Sequence, residues 1–184
     1  TIQRKGLAAV SSSFFGALYS AFGKYDVVHI HAEGPAFFAW LPKLLGKRVI
    51  VTIHGLDWQR EKWKYGFASK FIRMGERIAV GCADEIIVLS KDIQDYFLET
   101  YGRETVFIPN GVSRPQIREA ELIQEKFGLE KNGHILFLGR LVPEKGLRYL
   151  VKAFRQVKTE KKLVIAGGAS DTAAFAGELK ALAE

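Results

Sequence analysis

The chain of 184 residues is 48% hydrophobic and 12% aromatic, enough apolar surface to bury a core and too much for a disordered polypeptide. Its 27 Lys and Arg against 20 Asp and Glu leave a net charge of +7 and an isoelectric point near 9.5, which points to acidic partners: phosphates, nucleic acid or an anionic membrane face. The one cysteine, Cys82, has no intrachain partner; this excludes a disulfide framework, reads as a small buried apolar residue and places the chain in a reducing, cytoplasmic compartment.

The chain starts at Thr1 rather than Met, consistent with processing or with a fragment. Arg4 and Lys5 followed by an uncharged stretch from Gly6 to Gly23 imitate a secretory leader. Three serines at 11–13, the interior Gly16 and the lack of an Ala-x-Ala site instead predict a packed helix over Leu7–Phe22. Further helices are expected at Pro35–Leu45, kinked or ended by Pro42, and at Gln59–Cys82, Asp92–Tyr101, Glu119–Phe127, Gly146–Val157 and Thr172–Ala183. Between them, short β-branched runs predict strands at Val27–His31, Val49–His54, Glu85–Leu89, Val106–Ile108, Ile135–Gly139 and Leu163–Ala166. Strands alternating with helices mark βαβ units and parallel sheets. In the longest helix Trp63, Phe67, Phe71, Met74, Ile78 and Cys82 recur at spacings of three and four and are expected to form its core face, beside a basic flank of Lys62, Lys70, Arg73 and Arg77. The turn Pro109-Asn110-Gly111 and the polar stretch behind it predict a crossing between two domains, 1–110 and 111–184.

The densest chemical signal is Phe137-Leu138-Gly139-Arg140-Leu141-Val142-Pro143-Glu144-Lys145-Gly146-Leu147, a strand that enters a glycine-flanked loop and then a helix. Ligands of open α/β sheets sit at the carboxyl ends of strands. At this end Arg140 and Lys145 offer a diphosphate a forked guanidinium and an ammonium, with a helix N-terminus behind them. The competing reading pairs both cations with acids such as Glu144 and leaves the glycines to make a turn.

His54 closes the buried-strand run Val49–Ile53 and precedes Gly55, so its ring falls at the sheet edge, where binding groups concentrate; a packing histidine is the alternative. His29 and His31 alternate on one strand face and read as structural, since two histidines without a third ligand make no metal site. In Gly55-Leu56-Asp57-Trp58-Gln59-Arg60-Glu61-Lys62-Trp63, aromatic rings suit sugar faces and charged groups suit hydroxyls, which makes Asp57, Trp58 and Arg60 candidates for carbohydrate contact. Asp57 could equally cap the following helix. Ser90 or Asp92 in Val88-Leu89-Ser90-Lys91-Asp92 reads as a helix cap.

Gly139-Arg140-Leu141 with Glu144-Lys145-Gly146 resembles the opening motif of the second domain in family 4 retaining glycosyltransferases. Ile108-Pro109-Asn110-Gly111-Val112 is similar to that family's domain-crossing signature, and Asp26-Val27-Val28-His29-Ile30-His31 and Val51-Thr52-Ile53-His54-Gly55 resemble its consecutive first-domain strands. The order agrees from about Asp26 to Gly167, although Ala166-Gly167-Gly168-Ala169-Ser170 departs from the family's Gly-x-Gly followed by proline. The loop from Gly55 to Trp63 looks like one in a bacterial subgroup linked to surface polysaccharide assembly.

The resemblance implies a GT-B type α/β fold of two Rossmann-like domains with parallel sheets: an acceptor-side domain truncated at its start and a donor-nucleotide domain truncated at its end, both incomplete. It implies transfer of a sugar from a nucleoside diphosphate sugar, with retention and without metal or other cofactor, to a saccharide or lipid-linked acceptor in cell-surface polysaccharide or glycolipid synthesis. Gly139, Arg140, Lys145 and Gly55 would bind the donor and His54 would face the transferred sugar. The family's first-domain opening strand and its motif of two glutamates have no counterpart between Thr1 and Glu184, so the fragment alone is expected to be inactive. The protein is expected in the cytoplasm, with an anionic surface of the inner membrane face as a candidate partner and no nucleic acid. Two alternatives stand against this reading. One is a non-catalytic basic module binding nucleic acid, supported by charge alone. The other is a different Rossmann enzyme, which would lack its Gly-x-Gly-x-x-Gly run.

Overall fold

The computed structural model describes residues 7–59, 66–117, 121–168 and 173–183. The chain divides into two compact units, Thr1–Val112 and Ser113–Glu184.

The first unit is built on a four-stranded parallel sheet in sequential order: β1 (Val27–His31), β2 (Arg48–Ile53), β3 (Glu85–Val88) and β4 (Val106–Phe107). Register runs from Val27 opposite Arg48 to His31 opposite Thr52, and from Ile50 opposite Glu85 to Ile53 opposite Val88. Val49, Val51 and Ile53 of β2 and Ile86 and Val88 of β3 are fully buried, as the inner strands of a covered parallel sheet must be. They pack with Ala36, Ala39, Ala79 and Phe97 in one core; a large side chain such as Phe97 contributes about 1.5–3 kcal/mol by leaving water.

Around the sheet lie α1 (Leu7–Phe22), α2 (Glu33–Ala36), α3 (Trp40–Leu44), α4 (Phe67–Cys82) and α5 (Lys91–Tyr101). The single helix expected over Pro35–Leu45 is two short helices, interrupted at residues 37–39. A proline ring collides with the carbonyl four residues upstream, here that of Phe38, so Pro42 breaks the helix one turn before itself. Ser90, not Asp92, caps α5: its hydroxyl accepts the Ile93 N–H, and Gly102 closes the other end in the left-handed conformation.

The helix expected over Gln59–Cys82 is a 3-10 turn at Asp57–Gln59 and then α4 from Phe67, with residues 60–65, Trp63 and Lys62 among them, outside the described residues. The expected core stripe is corrected. Phe67 is 85% exposed and Met74 50% exposed, whereas Ser69, Ile72, Gly75, Glu76 and Ala79 are buried. The cause is the closeness of α2: a Cβ built on Gly75 would lie 1.9 Å from the Glu33 carbonyl oxygen. Only small residues fit such a crossing, so the bulky apolar side chains are turned away from it. Phe71 is half-buried and stacks on Phe37 at 4.5 Å between ring centroids.

The second unit pairs β5 (His134–Leu138) with β6 (Lys162–Ala166) in parallel, His134 opposite Lys162 and Leu138 opposite Ala166. Its helices are α6 (Glu121–Phe127), α7 (Leu147–Phe154) and α8 (Ala173–Ala183). Leu147 and Val151 of α7 meet Phe175 and Leu179 of α8 in a core to which Phe137, Leu163 and Ile165 add.

Gly75→Ala forces the Glu33 carbonyl and α4 apart and is expected to cost about 1–3 kcal/mol, the range of core overpacking. Urea unfolding checks this: the midpoint should fall with the slope unchanged.

Candidate functional site

In the first unit the carboxyl ends of β1 and β2 stand side by side. His54 follows β2 directly and is exposed, while Gly55 behind it takes φ +146°, a backbone that L side chains rarely adopt. The imidazole of His54 does not stand alone. Its Nε2 lies 3.0 Å from Nδ1 of His31, the two rings stack at 5.3 Å, and His31 meets His29 at 4.3 Å. His29 Nε2 is in turn 2.7 Å from the hydroxyl of buried Thr52. Partial burial, and then His31 and His54, hold His29 below the usual imidazole range, as expected where adjacent rings resist charging together. Among the described residues no group of three His, Cys, Asp or Glu could hold a metal ion. A cleft of about 310 Å³ opens beside this row, walled by Ser13, Gly16 and Ser20 of α1 with His29, His31 and Pro35.

The turn after His31 is strained. Ala32 sits at φ 73°, ψ 157°, territory of glycine, and its N–H donates to the Thr52 carbonyl at 2.8 Å. This bend carries Glu33 inward, where it is fully buried and its Oε2 accepts the backbone N–H of Asp57 at 2.7 Å. Glu76 of α4, 1% exposed, accepts the Trp58 indole N–H at 3.0 Å, the Tyr96 hydroxyl at 2.8 Å and the Tyr101 hydroxyl. The guanidinium of Arg73 lies 4.0 Å over the Trp58 ring. Trp58 is therefore pinned at both its polar tip and its face. Asp57 and Trp58 thus join His54 and Gly55 at one sheet edge, while Arg60 lies outside the described residues.

Gly139, Arg140 and Lys145 form a second group in the second unit. The β5–β6 ladder continues past its strands as bare backbone: the Gly139 N–H donates to the Ala166 carbonyl at 3.0 Å and the Leu141 N–H to the Gly168 carbonyl at 3.1 Å. A Cβ on Gly167 would lie 1.7 Å from the Gly139 carbonyl oxygen. Lys145 ends a 3-10 turn, Pro143–Lys145, and Gly146 at φ 70° swings the chain into α7. Arg140 and Lys145 are exposed, and among the described residues neither makes an ion pair, with Glu144 or with any other acid. Arg148, the second residue of α7, is engaged instead by Glu178 at 2.6 and 2.7 Å.

Sequence reasoning missed His31, Glu33 and Glu76. The alternation of His29 and His31 in the strand before His54 was the available signal for the first. For Glu76 it was an acid at helical spacing from Ile72 and Ala79, on a face other than the one the larger apolar residues outline.

Gly167→Ala is expected to part the ends of β5 and β6 and to lower stability by roughly 1–3 kcal/mol. Thermal unfolding followed by circular dichroism checks it, with Gly168→Ala, where an added Cβ meets nothing within 4 Å, as the milder comparison.

Residues 5–114 match the family described as Glycosyltransferase Family 4, and residues 119–183 match Glycosyl transferases group 1. The chain is 33% identical over 149 residues to the uncharacterized glycosyltransferase YqgM of Bacillus subtilis (strain 168), covering 78% of this chain and 40% of that protein. It is 30% identical over 169 residues to the alpha-maltose-1-phosphate synthase of Mycolicibacterium smegmatis, covering 83% of this chain and 43% of that protein. With the putative teichuronic acid biosynthesis glycosyltransferase TuaC of Bacillus subtilis (strain 168) it shares 28% over 149 residues, 77% of this chain and 37% of that one. The chain thus spans about two fifths of the length of these relatives. With a family match covering more than half of its residues, and with two parallel α/β units of the GT-B kind, the chain belongs to glycosyltransferase family 4.

Proposed function

We propose that this chain contributes to an enzyme that moves a sugar from a nucleoside diphosphate sugar to a saccharide or lipid-linked acceptor with retention at the anomeric carbon. The observation that carries the reading is the pair Arg140 and Lys145, exposed beside a side-chain-free backbone edge and without an ion-pair partner among the described residues. A leaving diphosphate gathers negative charge as the glycosidic bond breaks. A guanidinium and an ammonium held at that edge would stabilise the charge without a metal ion. Gly139 would let the diphosphate approach the backbone. In the first unit, His54 would face the transferred sugar beside Gly55, with Asp57 near the acceptor and the cleft by His29 and His31 available to it. Family membership favours this over a nucleic-acid module or another Rossmann enzyme. TuaC, by its name a teichuronic acid biosynthesis enzyme, supports a role in cell-surface polysaccharide or glycolipid synthesis.

A thermal-shift screen of nucleotide sugars against the full-length protein tests the reading: a ligand at 100 times its Kd stabilises the native state by about 2.7 kcal/mol. With the donor so identified, Arg140→Ala and Lys145→Ala should each weaken its binding by about 1.5–3 kcal/mol, read by calorimetry. Unchanged affinity in both would remove the diphosphate assignment. His54→Ala should lower turnover more than donor affinity.

The cytoplasmic protein would also meet the anionic inner face of the membrane through the basic side of α4. Lys70 and Arg77 are exposed there with Phe67, and each cation near a negative leaflet contributes about 1 kcal/mol. Trp58, held by Glu76 and Arg73, does not serve as the interfacial anchor. Among the described residues no helix is long and apolar enough to cross a membrane. Changing Lys70 and Arg77 together to Glu should reduce salt-sensitive co-sedimentation with anionic vesicles; sedimentation equal on neutral vesicles would refute the contact.

A further inference from the structure

Two carboxyl groups buried together in the first unit have no role in the reading above. Glu33 and Glu76 are fully or almost fully buried, on helices packed closely enough that Gly75 has no room for a Cβ. Two carboxylates in such surroundings cannot both carry a charge. Their hydrogen bonds are divided between them. Glu76 accepts from Trp58, Tyr96 and Tyr101, as an anion does, whereas Glu33 uses Oε2 for the Asp57 N–H and leaves Oε1 buried with no donor aimed at it. An oxygen without a donor is the natural seat of a proton, and the two acids flank the crossing at Gly75 and reach the adjacent residues Asp57 and Trp58.

We propose that Glu33 and Glu76 are positioning residues that share one proton, Glu33 Oε1–H donating to the Glu76 carboxylate, and that the pair clamps Asp57 and Trp58 and so sets the loop that presents His54 to the sugar. The presentation of His54 rests on the transferase reading; the shared proton does not. Burial first, and then the facing Glu76, push Glu33 up to about 9 from its ordinary 4.5. The Asp57 carboxylate acts in the same direction, and its backbone N–H opposes it. Burial and Glu76 also raise both tyrosines, with Arg77 opposing at Tyr101, so they remain neutral donors. Arg73 is the remaining charge at the cluster, over Trp58. Because the native state holds a proton that the unfolded chain releases, this contribution to stability is complete below about 4.5 and is lost as pH rises through about 9.

Glu33→Gln is the discriminating variant, since its amide can accept from the Asp57 N–H and donate to Glu76 with no proton to lose. In the full-length protein, the melting temperature of Glu33→Gln minus that of the wild type should climb steadily from pH 5 to pH 9; parallel curves overturn the shared proton. Glu33→Ala, which strands the Asp57 N–H, should speed amide exchange in the peptide 54–58 by about tenfold. With the donor found by the screen it should lower turnover by a similar factor, donor affinity being unchanged, and Glu33→Gln should recover most of both. Wild-type exchange in Glu33→Ala overturns the clamp. Because the melting and exchange measurements need no sugar nucleotide, they remain decisive even if the transferase reading fails.

Discussion

The first unit depends on one close crossing, where the carbonyl of Glu33 rests on Gly75 of α4. Bringing two helices this near removes the space that large apolar side chains would have filled, and it encloses two acids. The arrangement is tolerable because the acids are supplied with donors: a backbone N–H, an indole and two tyrosine hydroxyls. From that crossing the chain leads directly to the ends of β1 and β2. The strained Ala32 sets Glu33 in place on one side, and the 3-10 turn at Asp57–Gln59 is tied down on the other.

The ends of β1 and β2 consequently form an edge whose turns are tied by hydrogen bonds from Ala32, Asp57 and Trp58. His54 projects from that edge, and its neighbours in the histidine row limit how much positive charge the edge can gather. The second unit solves a different problem. Gly139 and Gly167 strip its sheet edge to backbone, with Arg140 next to Gly139 and Lys145 at the end of a short turn. The histidine row and the exposed pair Arg140 and Lys145 thus stand on separate units, each built on its own parallel sheet.

Much of this was legible without coordinates. The six strands lie within a residue or so of where β-branched runs placed them, and α1 has the expected ends, because the period of apolar residues is a local property. The motif from Gly139 to Gly146 was also legible, since glycines at a strand end and two cations in a turn are visible in the order of residues. Pro42 announced a break, but where it fell followed from the carbonyl of Phe38 rather than from the proline itself.

What the sequence by itself determined is therefore the alternation of strands and helices, the family, and the residue types that stand at the ends of the strands. The tertiary structure alone decided which face of α4 is buried, that Glu33 and Glu76 meet, and that His31 touches His54. Each of these depends on a pairing between residues 23 to 43 positions apart. Hydrophobic periodicity measures how apolar a face is, whereas burial is decided by how closely another element approaches it. At Gly75 the absence of a side chain counted for more than the phenylalanines nearby.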